Sequence, residues 1–266
     1  MSKMKKNKKI SGAEAVIKSL IKENVDLVYG YPGGAIMPVY DEFFKFQHKV
    51  HHVLTRHEQG AVHAAQGYAR SSGRVGVAIA TSGPGATNLV TGIADAQIDS
   101  TPIVCITGQV PAHLLGSDAF QETDIIGISM PVTKWSYQIT KASEVPDVIA
   151  KAFYIAKSGR PGPVLIDITK NAQIEMLDFK YNKCVGIRSY SPVPKIDKNK
   201  ILEAAELINN AKNPLIVWGQ GVILGNAEKE FKNFVEKSGI PAAWTCLLYT
   251  SPSPRDGLLS RMPSSA

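Results

Sequence analysis

The sequence predicts an α/β protein built on a doubly wound parallel sheet, followed by the truncated start of a second α/β domain. Short apolar segments alternate along the chain with longer segments in which apolar residues recur at helical spacing. The segments at 75–80, 103–107 and 164–168 are apolar almost throughout, as in strands buried on both faces of a sheet. Alternation of this kind places successive strands in one parallel sheet with helices on both faces.

Each element of the first domain has a local signal. Ser11 with Glu14 three residues later is the pattern of a capping box, which starts the first helix. The elements predicted after it are strand 27–29, helix 36–46, strand 50–54, helix 58–71, strand 75–80, helix 86–97, strand 103–107 and, beyond an irregular stretch, helix 145–158 and strand 164–168.

Periodicity is lost from about residue 171, where polar residues and proline become frequent, and this change indicates a linker. A second α/β unit then follows, with helix 201–209, strand 214–218, a turn at 219–221 and helix 226–238. The predicted divisions are a disordered basic lead-in at 1–9, a first domain at 10–175, a linker at 176–195, a truncated second domain at 196–245 and a tail at 246–266.

The tail does not continue the α/β pattern. The run CLLYTSPSPRD at 246–256 resembles the translation of a sequencing-library adapter, with 257–259 as a variable index and 260–266 as the distal adapter. A native Ser/Pro-rich linker is the alternative. We expect the segment to be non-native and exclude it from the fold.

Charge and cysteine content exclude several classes of protein. Of the net charge of +7, five units come from lysines in the first nine residues and one from the tail, so the body is nearly neutral and no nucleic-acid surface is indicated. No apolar run approaches the roughly 20 residues of a membrane span. Cys105, Cys184 and Cys246 form no CxxC or Cys/His motif, which indicates neither disulfides nor metal ligands and fits a cytoplasmic protein.

Glu58 is the most informative residue of the chain. It lies in the run TRHEQGA at 55–61, where a predicted strand meets a helix rich in small residues. A carboxylate there lies at the mouth of the sheet, with room for a flat heterocycle to approach the backbone. A glutamate in the first turn of a helix is also favoured by the helix dipole, so spacing alone leaves both roles open.

Four other runs accompany Glu58: GYPGGA at 30–35, TSGPGATN at 81–88, GQVP at 108–111 and DAFQE at 118–122. Together they resemble the N-terminal half of a thiamine-diphosphate enzyme, and most closely the catalytic large subunit of acetolactate synthase, over about residues 10–245. The glutamate and the GPG turn are shared by many thiamine-diphosphate decarboxylases and carboligases. The GYPGGA and AFQE runs narrow the resemblance to acetolactate synthase.

The resemblance implies that Glu58 bonds the pyrimidine ring nitrogen of thiamine diphosphate. Gly33 and Gly34 would let the backbone approach cofactor or substrate, because glycine has no Cβ. An ordinary Pro-Gly turn is the local alternative. Pro84 and Asn88 are expected to contact the cofactor from the turn that lines its pyrimidine side, whereas the diphosphate and Mg²⁺ belong to a C-terminal domain.

By the resemblance, Phe120 and Gln121 match a pair near the reaction centre, with the glutamine touching cofactor or substrate. From the residues alone, the pair could equally form an irregular core contact. Lys170 matches a lysine near the substrate channel, and a solvated lysine at a strand end is the alternative. With Glu58 and Gly34, these three complete the residues that we expect to be catalytic. Pro111 matches the mouth of the substrate channel, where inhibitors of the family bind.

Enzymes of this family also carry FAD. Arg160, in SGRPGP at 158–163, matches a flavin contact, and arginine suits phosphate through its bidentate fork. Gly219, Gln220 and Gly221 match the start of the flavin-binding middle domain, although a lone GxG is a weak motif by itself.

The resemblance implies decarboxylation of pyruvate and joining of the remaining two-carbon unit to a second pyruvate or to 2-ketobutyrate, the first common step of branched-chain amino-acid synthesis. It also implies a homodimer or dimer of dimers and allows a regulatory small subunit. Pyruvate oxidase, sulfoacetaldehyde acetyltransferase and the FAD-free catabolic acetolactate synthases are alternatives. Glyoxylate carboligase is disfavoured because it lacks the glutamate. A dimerisation module without activity is the non-enzymatic alternative, since no Gly-Asp-Gly…Asn segment for Mg²⁺ is present and the chain alone is expected to be inactive.

Overall fold

A computed structural model describes residues 9–245, in two compact units divided between Pro192 and Val193. The predicted adapter-derived tail and all but the last residue of the predicted lead-in lie outside the described residues. The strands of the first unit are β1 (Ile10–Ser11), β2 (Leu27–Gly30), β3 (His51–Leu54), β4 (Gly76–Ala80), β5 (Ile103–Gln109), β6 (Trp135–Ile139), β7 (Val164–Thr169) and β8 (Met176–Leu177). Its α-helices are α1 (Gly12–Lys22), α2 (Met37–Phe46), α3 (Glu58–Ser72), α4 (Pro84–Thr87), α5 (Val90–Ile98), α6 (Ile125–Ser129), α7 (Val145–Lys157) and α8 (Lys170–Ile174).

Six strands of the first unit form one parallel sheet in the order β3-β2-β4-β5-β7-β6. Strands β4, β5 and β7 are buried at every position, as their apolar runs predict. One buried cluster joins a face of the sheet to α1, α2 and α7, and a second joins the other face to α3, α4, α5 and α6. The predicted doubly wound parallel sheet is therefore confirmed.

The direction of winding reverses at β2. From β2 the chain moves to β3 on one side of the strand, and it returns to β4 on the other side. The loops that follow β2 and β4 therefore diverge at the carboxyl ends of neighbouring strands and leave a crevice, which is where open α/β sheets bind ligands. The GYPGGA run follows β2 and the TSGPG run follows β4.

Several local predictions differ from the structure. Ser11 caps α1 by accepting from the Glu14 amide, but the Glu14 carboxylate pairs with Lys18 and does not complete the capping box. Strand β6 was not predicted because this edge strand carries no continuous apolar run. Regular structure continues past residue 171, where the sequence pattern loses its periodicity, since α8 extends to Ile174. The first two residues of the predicted linker at 176–195 form β8, which pairs antiparallel with β1.

The predicted helix 86–97 is divided into α4 and α5. The Leu89 amide bonds to the carbonyl of Ala86, three residues back, so the backbone tightens between the two helices. The tight turn falls at Asn88 and Leu89, directly after α4.

The second unit contains α9 (Lys198–Asn210), β9 (Ile216–Trp218), α10 (Gln220–Leu224), α11 (Glu228–Ser238) and β10 (Ala242–Trp244). Strands β9 and β10 are parallel, and Trp218 packs against Phe231 with ring centroids 4.7 Å apart. The sequence predicted α9, β9 and α11 but not α10 or β10. None of the helices described in either unit is long and apolar enough to cross a membrane.

Two glycines in helix interiors have different surroundings. One is required by close packing of two helices, and the other only lowers the helix propensity of its segment. A Cβ on Gly92 of α5 would lie 2.2 Å from Val62 of α3, whereas a Cβ on Gly67 of α3 would meet no atom within 4 Å. We expect Gly92→Ala to lower the free energy of unfolding by about 1–3 kcal/mol through overpacking. Gly67→Ala should raise it by about 0.5–1 kcal/mol because alanine favours the helix.

Urea unfolding followed by circular dichroism measures both variants. Equal stability of Gly92→Ala and the parent chain would contradict the close packing of α3 on α5.

Candidate cofactor-binding site

Glu58 is the first residue of α3 and lies at the carboxyl end of the sheet, just after β3. Its side chain is buried, and the residue is 7% exposed. The cap of α3 is supplied by His57, whose Nδ1 accepts a hydrogen bond from the Gln59 amide. The Glu58 carboxylate instead accepts a hydrogen bond from Asn88 Nδ2, which lies 3.0 Å from Oε2. The carboxylate is therefore directed toward the TSGPGATN segment and not along its own helix.

The other carboxylate oxygen faces a glycine. A Cβ on Gly85 would lie 3.2 Å from Glu58 Oε1 and 2.7 Å from the Thr81 methyl group. Because Gly85 has no side chain, the turn packs closely on Oε1 and on Thr81, with no room for a Cβ. Asn88 holds Oε2, and within residues 9–245 no donor bonds Oε1, which is the oxygen left for a ring nitrogen.

Two of the predicted glycines have different surroundings. A Cβ on Gly33 would lie 2.5 Å from Thr81 Cβ, so the room beside Gly33 is filled by the protein itself. Gly34 is exposed, and a Cβ there would meet no atom within 4 Å. Thr81 also accepts a hydrogen bond from the Ala35 amide at 3.2 Å, and this bond ties the GYPGGA loop to the TSGPG loop.

The loop that carries Phe120 and Gln121 lies over the same turn. A Cβ on Gly83 would come within 2.5 Å of the Gln121 carbonyl oxygen, and Gly83 has a φ of 55°. Gln121 itself has a φ of 59°, and Phe120 is 87% exposed. The structure thus brings the backbone of Gln121 to the turn that borders Glu58, with Pro84 exposed at the start of α4.

No contact within residues 9–245 joins Lys170 or Arg160 to the residues around Glu58. Lys170 is half-buried at the start of α8, just after β7. Arg160 donates from Nε to Ser100 Oγ at 2.7 Å and from Nη2 to the Ile98 carbonyl at 3.0 Å. These bonds hold Arg160 against the turn between α5 and β5.

The predicted flavin-site residues of the second unit, Gly219, Gln220 and Gly221, lie at the start of α10. A Cβ on Gly219 would lie 2.8 Å from Thr245 Oγ1, whereas Gly221 faces open space. Gln220 and Gly221 belong to the first turn of α10. Within residues 9–245, His, Cys, Asp and Glu side chains form no cluster of three that could hold a metal ion.

Asp167 is a buried polar residue that was not predicted to have a role, although an aspartate within the apolar strand VLIDIT is an unusual feature of the sequence. Asp167 is fully buried on β7, between its cross-strand neighbours Thr107 and Gln138. Its Oδ1 accepts from Thr107 Oγ1 at 2.7 Å, and its Oδ2 accepts from Gln138 Nε2 at 2.9 Å and from Gln109 Nε2 at 3.0 Å. Burial raises the pKa of Asp167 to about 6 even though these three donors favour the ionised form.

Gln173 is another fully buried polar residue that was not predicted to have a role. Its Nε2 donates to the carbonyl of Ala35 at 2.7 Å and to that of Ile168 at 3.1 Å. A Cβ on Gly108 would lie 2.6 Å from the Ala35 oxygen, so this glycine lets the GYPGGA loop approach β5. The position of Ala35 is therefore fixed from both the amide and the carbonyl side.

Comparison with known proteins agrees with this geometry. Residues 10–128 match the N-terminal TPP binding domain of the thiamine pyrophosphate enzymes, and residues 201–248 match the central domain of the same enzymes. The chain therefore belongs to the thiamine pyrophosphate enzymes.

Within that class the chain is similar to acetolactate synthase large subunits. It is 52% identical to the acetolactate synthase large subunit of Corynebacterium glutamicum over 239 residues, which are 90% of this chain and 38% of the relative. It is 50% identical to the acetolactate synthase of Mycobacterium bovis over 238 residues, which are again 90% of this chain and 38% of the relative. It is 48% identical to the probable acetolactate synthase large subunit of Methanococcus aeolicus over 241 residues, which are 90% of this chain and 40% of the relative. The chain thus spans about two fifths of the length of the curated relatives it matches.

The raised pKa of Asp167 predicts a pH-dependent stability. Its folded pKa of about 6 lies above the unfolded value of about 3.9, so the folded chain binds an extra proton between these values. The contribution of this group is therefore greatest below about pH 4 and is lost as the pH rises through 6. Asp167→Asn resembles the protonated acid, because its Nδ2 can donate to Thr107 while Oδ1 accepts from both glutamines.

Relative to Asp167→Asn, we expect the parent chain to lose about 2–3 kcal/mol of unfolding free energy between pH 4 and pH 7. Urea unfolding at both pH values measures the difference. A constant gap between the two proteins would show that Asp167 does not titrate in this range.

Proposed function

We propose that this chain is the pyrimidine-facing part of an acetolactate synthase large subunit. The observation that carries the proposal is the buried Glu58 carboxylate, with Oε2 held by Asn88 and Oε1 beside Gly85, where it accepts no hydrogen bond within residues 9–245. The names of the relatives that align over 90% of the chain support the particular enzyme. They favour it over pyruvate oxidase and sulfoacetaldehyde acetyltransferase.

In the proposed reaction, one pyruvate loses CO₂ and the two-carbon unit that remains forms a bond to the carbonyl carbon of a second 2-keto acid, pyruvate or 2-ketobutyrate. When bound, thiamine diphosphate supplies the nucleophilic carbon and accepts the electron pair left by decarboxylation. The diphosphate and its Mg²⁺ would be held by a C-terminal domain outside this chain.

The residues of this chain would orient the pyrimidine ring and hold a proton beside it. Glu58 Oε1 would share a proton with the ring nitrogen, and Asn88 would keep the carboxylate in place through Oε2. Gly85, which carries no side chain over Oε1, would leave that oxygen accessible to the edge of the ring, and the Gln121 loop would lie over the turn at Gly83. Gly34, Phe120 and Lys170 would face the substrate side.

FAD is part of the proposal through the resemblance of Arg160 and of the run at 219–221. Arg160 uses Nε and Nη2 on the turn at 98–100, which leaves Nη1 for a phosphate. Flavin would be bound for structure, so no step of the reaction is assigned to it.

A second copy of the subunit is the proposed partner. Three apolar side chains near the carboxyl end of the sheet are exposed: Tyr31 at 41%, Met37 at 55% and Phe120 at 87%. A partner subunit that carries the diphosphate-binding domain would cover them and complete the site. A homodimer or dimer of dimers satisfies this requirement, and the proposal includes a cytoplasmic location and allows a regulatory small subunit.

A chimera tests the proposal. Residues 10–245 replace the aligned segment of the Corynebacterium glutamicum subunit, and acetolactate formation from pyruvate is measured with thiamine diphosphate, FAD and Mg²⁺. We expect an active chimera, in which Glu58→Gln lowers kcat/KM roughly a hundredfold or more because the shared proton is lost.

Glu42→Gln is the matched control, since Glu42 is also a buried glutamate but lies on α2, paired with Lys45. We expect this control to keep the activity of the parent chimera. Unchanged turnover in Glu58→Gln would contradict the role of Glu58, and an inactive parent chimera that still folds and dimerises would contradict the proposed enzyme.

A further inference from the structure

The Gln121 loop is shaped by contacts to its own backbone. The Glu122 carboxylate accepts hydrogen bonds from the Gly116 and Ala119 amides, the second at 3.0 Å. These backbone donors lower the pKa of Glu122. Three residues of the loop, Gly116, Asp118 and Gln121, have positive φ values. The loop is therefore a folded turn that presents Phe120 and Gln121, but all these contacts lie within the loop and do not fix it to the sheet.

Within the described residues, one side chain, Gln109, supplies a polar tether from the sheet to the end of this loop. Gln109, at the end of β5, is 1% exposed, and its Nε2 donates both to the Thr123 carbonyl at 2.9 Å and to Asp167 Oδ2 at 3.0 Å. Its Oε1 accepts from the Val110 amide at 2.9 Å. The orientation of the Gln109 amide is thus fixed at both ends, with nitrogen toward Asp167 and Thr123.

These hydrogen bonds explain why a carboxylate is buried on β7. Asp167 accepts only, so it forces each amide that faces it to present nitrogen. Were Asp167 apolar, the Gln109 amide would lose one of the two acceptors of its nitrogen, and a buried unpaired donor is costly. The burial of Asp167 is offset locally by three hydrogen bonds, and one of the three donors continues to the loop that carries Gln121.

We propose that Gln109 and Asp167 are positioning residues for Gln121. Asp167 orients the Gln109 amide, Gln109 holds the Thr123 carbonyl, and the backbone of Gln121 is thereby kept against Gly83, beside Glu58. This inference rests on the proposed function only in taking Gln121 as a residue of the site. The tether itself is a property of the fold and is testable without catalysis.

Gln138 provides the control for the tether. It donates to the same oxygen of Asp167 at nearly the same distance as Gln109, but within residues 9–245 its side chain bonds only Asp167. Methionine is close in size to glutamine and cannot form these hydrogen bonds. Gln109→Met and Gln138→Met therefore each remove a donor to Asp167, and only the first removes the bond to Thr123.

Hydrogen exchange on the full chain distinguishes the two variants. We expect Gln109→Met to speed amide exchange in 116–122 by about three- to tenfold relative to the amides of β4, as for the loss of about one hydrogen bond. Gln138→Met should leave the exchange of this segment within about twofold of the parent chain. Equal protection of 116–122 in both variants would overturn the proposal.

Substitutions at Asp167 supply an independent test by rescue. Asp167→Leu removes the acceptor and should loosen 116–122 as Gln109→Met does, whereas Asp167→Asn keeps an acceptor for Gln109 and should restore protection. If Asp167→Leu destabilises the whole unit, amide exchange in β4 rises together with that of the loop. The test then rests on comparing Gln109→Met with Gln138→Met. Loosening by Asp167→Asn equal to that by Asp167→Leu would contradict the orienting role.

The chimera connects the tether to catalysis. We expect Gln109→Met to lower kcat/KM about tenfold or more through misplacement of Gln121, and Gln138→Met to stay within about twofold of the parent. A loosened loop with unchanged kcat/KM would mean that the tether exists but does not serve Gln121. That outcome overturns the positioning role and leaves the Glu58 result, and so the proposed function, unaffected.

Discussion

The site depends on one hydrogen bond, from the Asn88 amide to the buried carboxylate of Glu58. A charged group with little exposure requires a polar partner, since burying it alone is costly. Asn88 can be that partner because the chain tightens at the end of α4, where residues 88 and 89 separate two helices that the sequence predicted as one. The local irregularity and the position of the carboxylate are therefore parts of the same arrangement.

The rest of the crevice is built by close packing around Thr81. Gly33 and Gly85 both come so near to this side chain that a Cβ on either would collide with it. The two loops that diverge at the reversal of winding are thus joined again by one small residue with a hydroxyl group, which also bonds the Ala35 amide. Polar contacts set back from the crevice then fix the loops, with Gln173 beneath Ala35 and Gln109 beneath Thr123.

These contacts explain why polar residues lie inside an otherwise apolar sheet. Asp167 and Gln109 occupy positions that would accept aliphatic side chains on size alone, and both are almost fully buried. Hydrogen bonds are directional, whereas apolar packing is not. A buried series of hydrogen-bonded side chains can therefore fix the position of a loop, which apolar packing alone would cover without orienting. The second unit has fewer buried side chains, with Trp218 and Ile240 its buried apolar residues in the described range.

The sequence by itself determined the fold class and the order of most strands and helices, because these depend on local periodicity. Its short motifs, through their resemblance to the thiamine-diphosphate enzymes, also indicated the family and singled out Glu58. It missed β6, since an edge strand needs no continuous apolar run. It could not show that Asn88 holds Glu58, that Thr81 fills the space beside Gly33, or that Asp167 orients Gln109. Those contacts join residues 30 to 58 positions apart along the chain, and only the winding of the sheet brings them together.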